Sequence, residues 1–121
     1  MLHETPHIRA LKLWRDTAFE LIHDGQDLSI RQIAILITVY LEPPPHTVRG
    51  LAQKLNVTKP VITRALDSLG KQDFLSRRRD EQDRRNVIIL RTVKGALMVE
   101  KLADIVLQNI PASLSPDFIS S

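Results

Sequence analysis

The sequence predicts a mostly α-helical chain interrupted once by a small β-hairpin, an α+β class. Three observations predict it. Apolar residues recur at steps of three and four over most of the length. The period changes only between Phe74 and Arg91, where two β-branched or basic runs flank a polar turn. Charge is concentrated in that same central region: Thr47–Lys94 holds 12 basic and 5 acidic residues, or +7, against −4 in the two flanks. The whole-chain net charge of +3 is therefore a near-cancellation. A basic centre between acidic ends is the pattern of a module that faces a polyanion.

The first helix is read from Ile8, Leu11, Trp14, Ala18, Phe19 and Ile22, and ends at Asp24-Gly25, since glycine favours the position after a helix C-terminus. Ser29 opens the second helix, and Gln32 three residues on completes a capping box. Ile33–Leu41 is apolar almost all round, broken by Thr38, as a central core helix should be. Pro43-Pro44-Pro45 stops that helix because none of the three donates a backbone N–H. Thr47 is placed as the N-cap of a short helix carrying Leu51, Ala52 and Leu55. Asn56-Val57 makes a tight turn, and Thr58 caps the next helix, with Pro60 tolerated in its first turn.

That helix buries Ile62, Ala65, Leu66 and Leu69 at i, i+3, i+4 and i+7. At 100° per residue, Pro60, Thr63, Arg64, Asp67 and Lys71 then face outward. A short helix, a tight turn and a second amphipathic helix form a helix-turn-helix, whose second helix enters a DNA major groove by its first half. Thr58, Lys59, Thr63 and Arg64 occupy that half. Arg64 suits a bidentate contact to guanine, Thr63 a base edge, and the helix start with Thr58 and Lys59 a phosphate.

Phe74–Arg79 and Asn86–Arg91 are read as the strands of the hairpin, joined by Asp80–Arg85. A charged hairpin directly after a helix-turn-helix is a wing. Arg77, Arg78 and Arg79 are placed along the DNA backbone, and Arg84 and Arg85 at the tip in a narrow minor groove, where the negative potential is enhanced. Asp83 is expected to pair with Arg85 and fix its guanidinium. The last helix runs from Val93 to Ile110, carries Leu97, Met98, Leu102, Ile105, Val106 and Ile110, and stops at Pro111. In the tail, Leu114, Phe118 and Ile119 are expected to pack loosely.

Thr47–Gly95 resembles the winged-helix domain of the MarR family of bacterial transcription regulators. The matching stretches are Leu51–Thr58, Val61–Leu69, Arg79–Asn86 and Leu90–Gly95, and Leu28–Leu41 resembles the family's second helix. The Asp-x-x-Asp-Arg-Arg run of Asp80–Arg85 is the most specific of them. The resemblance implies a homodimer on a pseudo-palindromic operator, with Thr58–Leu69 as recognition helix and an arginine of the wing in the minor groove. It implies one winged-helix domain over 1–121, with 28–92 as DNA-binding lobe and 7–24 and 93–110 as dimerisation helices. Trp14, Phe19, Met98, Leu102, Ile105 and Val106 are assigned to the dimer interface, being more apolar surface than one small lobe needs. The terminal helices are short for the family, which bears on the effector pocket that the family places between those arms and the lobe. No small-molecule effector is read from the sequence.

Composition narrows the alternatives. The 121 residues suit one domain, and 43% hydrophobic content supports a packed core. Aromatic residues are 4%, too few for a sugar cleft or a base-stacking platform. There is no cysteine, hence no thiolate nucleophile, no cysteine-ligated metal and no thiol-based sensing. No apolar run of about 18 residues spans a membrane. The first residues do not read as a signal peptide, so a cytoplasmic, nucleoid-associated location is expected. His3-Glu4-Thr5-Pro6-His7 matches the letters of a zinc-protease motif. That chemistry needs both histidines on one helix face, and with Pro6 in the first turn His3 falls outside the helix. No enzyme activity, cofactor or metal is expected.

Overall fold

The computed structural model describes residues 4–110. Its elements are α1 (Pro6–His23), α2 (Ile30–Leu41), β1 (His46–Thr47), α3 (Val48–Leu55), α4 (Lys59–Lys71), β2 (Leu75–Arg79), β3 (Val87–Arg91) and α5 (Val93–Asn109). The expected packing of Leu114, Phe118 and Ile119, and the placement of His3, lie outside the described residues. Among the described residues two compact units are present: 28–99, and 4–27 with 100–110.

In the unit Leu28–Val99, Ser29 and Gln32 form both halves of the capping box. Ser29 Oγ accepts the Gln32 N–H at 3.0 Å and Gln32 Oε1 accepts the Ser29 N–H at 2.9 Å. The helix they start buries Ile35, Leu36 and Val39 completely. Against them the core gathers Leu51, Ile62, Leu66, Leu69, Phe74, Leu75 and Ile89, all under 5% exposed. Each fully buried aliphatic side chain contributes about 1.5–3 kcal/mol, whereas an exposed ion pair contributes about 0–1 kcal/mol, so this cluster decides the fold.

The helix-turn-helix forms where the sequence places it. Thr47 Oγ1 accepts the Gly50 N–H at 2.9 Å and caps α3. Asn56 ends α3 in the left-handed conformation, φ 56°, which its short polar side chain tolerates. One expectation fails: Thr58 holds the N-cap position of α4, but its hydroxyl makes no capping bond. The backbone explains this. Pro60 has no N–H to give, and the Val61 N–H is taken by the Thr58 carbonyl at 3.2 Å.

The hairpin is part of a three-stranded antiparallel sheet, ordered β1-β3-β2. The two-residue strand β1 pairs His46 with Ile89 and Thr47 with Ile88, where the sequence shows only a proline-rich connector. The hairpin strands begin one residue later than expected: Phe74 is core, and the Asn86 N–H closes the tip onto the Asp83 carbonyl at 2.9 Å. Gly95, in the first turn of α5, is needed for close approach, because a Cβ there would overlap the Phe74 carbonyl and the Tyr40 hydroxyl.

In the other unit, Thr5 caps α1 by accepting the Ile8 N–H at 3.2 Å, and Pro6 is the first helical residue. Glu4 therefore precedes the helix. Asp24 follows α1 and pairs with Lys101 at 2.5 Å. No residue of α1 is buried.

Candidate nucleic-acid interface

Helix α4 divides as its periodicity requires. Ile62, Ala65, Leu66 and Leu69 are buried, while Thr58, Lys59, Pro60, Thr63, Arg64, Asp67 and Lys71 are exposed. Arg64 also lines a recess with Ser29, Arg31, Val61 and Ser68, at the start of α2. Sequence reasoning does not single out Arg31, because it lies outside the basic segment and on a helix whose pattern is that of a core helix. Arg49, exposed in the first turn of α3, was also missed, though its basic charge at a helix start beside the turn motif was a usable signal.

At the wing tip Asp83 and Arg85 form the expected pair as a two-pronged fork. Arg85 Nε donates to Oδ1 at 3.0 Å and its second prong reaches Oδ2 at 3.2 Å. The Arg85 backbone N–H also donates to Oδ1, at 3.2 Å. The Arg85 side chain and backbone N–H, with a smaller contribution from the charge of Arg49, hold the Asp83 carboxyl below its ordinary value. Arg85 nonetheless keeps 86% of its side chain exposed, so the fork aims the cation without hiding it.

The three arginines of β2 do not share one environment. Side chains alternate across a strand, and Arg77 lies opposite Ile89 on the face that carries buried Leu75. From there it donates to Asp67 Oδ1 of α4 at 2.7 Å. Arg79, on the same face, donates to the Arg84 carbonyl at 2.9 Å. Arg78 points to the opposite face and has no ion pair among the described residues. At the base of the wing, Arg91 donates to the carbonyls of Val39 at 2.9 Å and Glu42 at 3.0 Å, at the end of α2.

The residues assigned to a dimer interface separate into two groups. Trp14 and Phe19 are exposed, at 68% and 52%, and share α1 with exposed Leu11 and Ile22. Met98, Leu102 and Ile105 are each at most 7% exposed, and Val106 is half-buried. Packing within the chain already covers Met98, Leu102 and Ile105. Among the described residues no group of three or more acidic or histidine side chains is placed to hold a metal ion.

Residues 28–87 match the model of the MarR family. The chain belongs to the MarR family. Over 79 residues it is 41% identical to the HTH-type transcriptional repressor YetL of Bacillus subtilis, covering 64% of this chain and 47% of that protein. Over 82 residues it is 36% identical to the organic hydroperoxide resistance transcriptional regulator of Bacillus subtilis, covering 68% of this chain and 55% of that one. The chain thus spans about half the length of these curated MarR-type relatives. The crystal structure of the S. aureus MepR–DNA complex superposes with a TM-score of 0.73 at 22% identity, over 84% of this chain and 82% of that chain, and shows the shared fold. No described helix of this MarR-family chain is long and apolar enough to cross a membrane.

Proposed function

We propose that this chain is a sequence-specific double-stranded DNA-binding regulator of transcription, acting in the cytoplasm as a homodimeric repressor on a pseudo-palindromic operator. The observation that carries the reading is the wing tip: an acidic residue is used to aim an arginine that stays 86% exposed. A folded protein gains little stability from an exposed pair of this kind, and a fixed, displayed guanidinium suits a narrow minor groove. The exposed face of α4, with Thr58, Lys59, Thr63 and Arg64, is set for the major groove, where Arg64 reads a base edge. Exposed Leu11, Trp14, Phe19 and Ile22 on α1 supply the apolar face through which two copies associate. The names of the curated relatives, a repressor and a transcriptional regulator, support the same reading.

Titrating affinity for duplex DNA against salt tests it. A binder that neutralises several phosphates shows log K falling linearly with log salt, by about 0.9 for each phosphate contact. A flat dependence would instead mark a winged helix that binds protein, and would overturn the reading.

A further inference from the structure

We propose that Arg77 and Arg79 are positioning residues of the wing, leaving Arg78 as the phosphate contact of strand β2. The inference rests on the DNA-binding reading above and divides a run of three identical side chains that composition cannot tell apart.

Strand alternation makes the division. Arg77, Arg79 and Arg91 all lie on the sheet face that carries the buried Leu75 and Ile89. Each of the three ends on an acceptor within the chain. Arg77 reaches Asp67 on the recognition helix at 2.7 Å, Arg79 the carbonyl of Arg84 at the wing tip at 2.9 Å, and Arg91 the carbonyls at the end of α2. These contacts tie the hairpin to α4, to its own tip and to α2 in turn. The Asp67–Arg77 pair is a direct side-chain link between the two elements that must meet the major and minor grooves in one register. The Arg79 bond fixes the peptide of Arg84, so it sets where that side chain leaves the loop. Arg78 lies opposite Ile88 on the other face, exposed, with no ion-pair partner among the described residues.

A positioning arginine and a phosphate-contacting arginine differ in salt dependence, not simply in affinity. Removing a phosphate contact lowers the slope of log K against log salt by about 0.9, or about 1.8 in a dimer that carries the change twice. Removing a brace weakens binding by the same factor at every salt concentration.

The test measures affinity for one duplex across a salt series for the unaltered protein and for Arg77→Ala, Arg78→Ala, Arg79→Ala and Asp67→Asn, with circular dichroism to establish that each folds. The expected result is a reduced slope for Arg78→Ala alone, and an unchanged slope with weaker binding for Arg77→Ala and Arg79→Ala. Asp67→Asn separates the two roles further. As an anchor its loss weakens binding. If Arg77 instead served phosphate, removing Asp67 would release a cation, delete an acid and tighten binding. A slope reduced by Arg77→Ala or Arg79→Ala, affinity unchanged in both, or tighter binding by Asp67→Asn overturns the inference. An unaltered protein whose affinity ignores salt overturns the DNA-binding reading, and the inference with it.

Discussion

Tyr40 and Thr92 exchange hydrogen bonds across 52 residues of sequence: the Thr92 N–H donates to the Tyr40 hydroxyl oxygen at 3.0 Å, and the hydroxyl donates to the Thr92 carbonyl at 2.9 Å. The same hydroxyl lies 3.2 Å from the Phe74 carbonyl. One phenol thus joins the end of α2, the turn before β2 and the start of α5. Arg91 adds its guanidinium 5.7 Å from the Tyr40 ring centroid. Tyr40→Phe keeps the ring and removes the hydroxyl, leaving part-buried backbone groups without their partner. Urea unfolding is expected to show a loss of about 1–3 kcal/mol with an unchanged m-value.

Asn56 gives a prediction of opposite signs at one position. At φ 56° a Cβ-bearing residue without a short polar side chain is disfavoured by about 1–2 kcal/mol. Asn56→Ala is therefore expected to lower the unfolding midpoint, while Asn56→Gly leaves it nearly unchanged or slightly raised. Equal losses for both would show that the side chain, not the backbone conformation, matters at this turn.

Much of this was legible in the sequence because it is local. The four buried residues of α4 repeat at helical spacing, the Ser29–Gln32 box spans one turn, and Asp83 and Arg85 sit two residues apart in one loop. What was not legible depends on distant partners. Strand β1 is two residues long and exists only through Ile88 and Ile89. Alternation alone places Arg77 on the inner face of β2, but not Asp67 within its reach. The apolar residues of α5 form a stripe in the sequence, but spacing does not say that Met98, Leu102 and Ile105 are buried within the chain. The failed cap at Thr58 reflects a competition between hydroxyl and carbonyl for one N–H that spacing cannot resolve.

Asp83 sets a pH window for the wing. Its carboxyl is held below the ordinary value of 3.8, so the charged pair with Arg85 is complete above that value and is lost only as pH falls through the lowered one. The Arg85 Nε–H resonance is expected to stay constant from about pH 7 to pH 5 and to move only below the usual carboxylate range, about pH 4. A midpoint near neutrality would contradict the pair. Asp83→Asn should show no such acid transition.

Trp14 is the most exposed aromatic side chain on the apolar face of α1, at 68%. Trp14→Asp places a charge at the centre of that face. Sedimentation is expected to show the altered chain as a monomer where the unaltered chain is a dimer, and operator affinity should fall with it, since both half-sites are no longer bound together. Dimers of unchanged stability would move the interface elsewhere.

Arg64 and Arg85 are expected to differ in what they read. Arg64→Ala should reduce affinity by about 1–3 kcal/mol and relax the preference at one base position, measured with single-base operator variants. Arg85→Ala should weaken binding more on A·T-rich flanks than on G·C-rich ones, because the narrow minor groove of A-tracts attracts the guanidinium. Uniform losses across all sequences would reassign Arg64 to the backbone.

Selection of bound fragments from a random duplex pool tests the central claim most directly. The account predicts enrichment of one inverted repeat, with half-sites about one helical turn, 10–10.5 base pairs, apart or a multiple of it. Fragments retained without any common sequence, or no retained fragments at all, would contradict it.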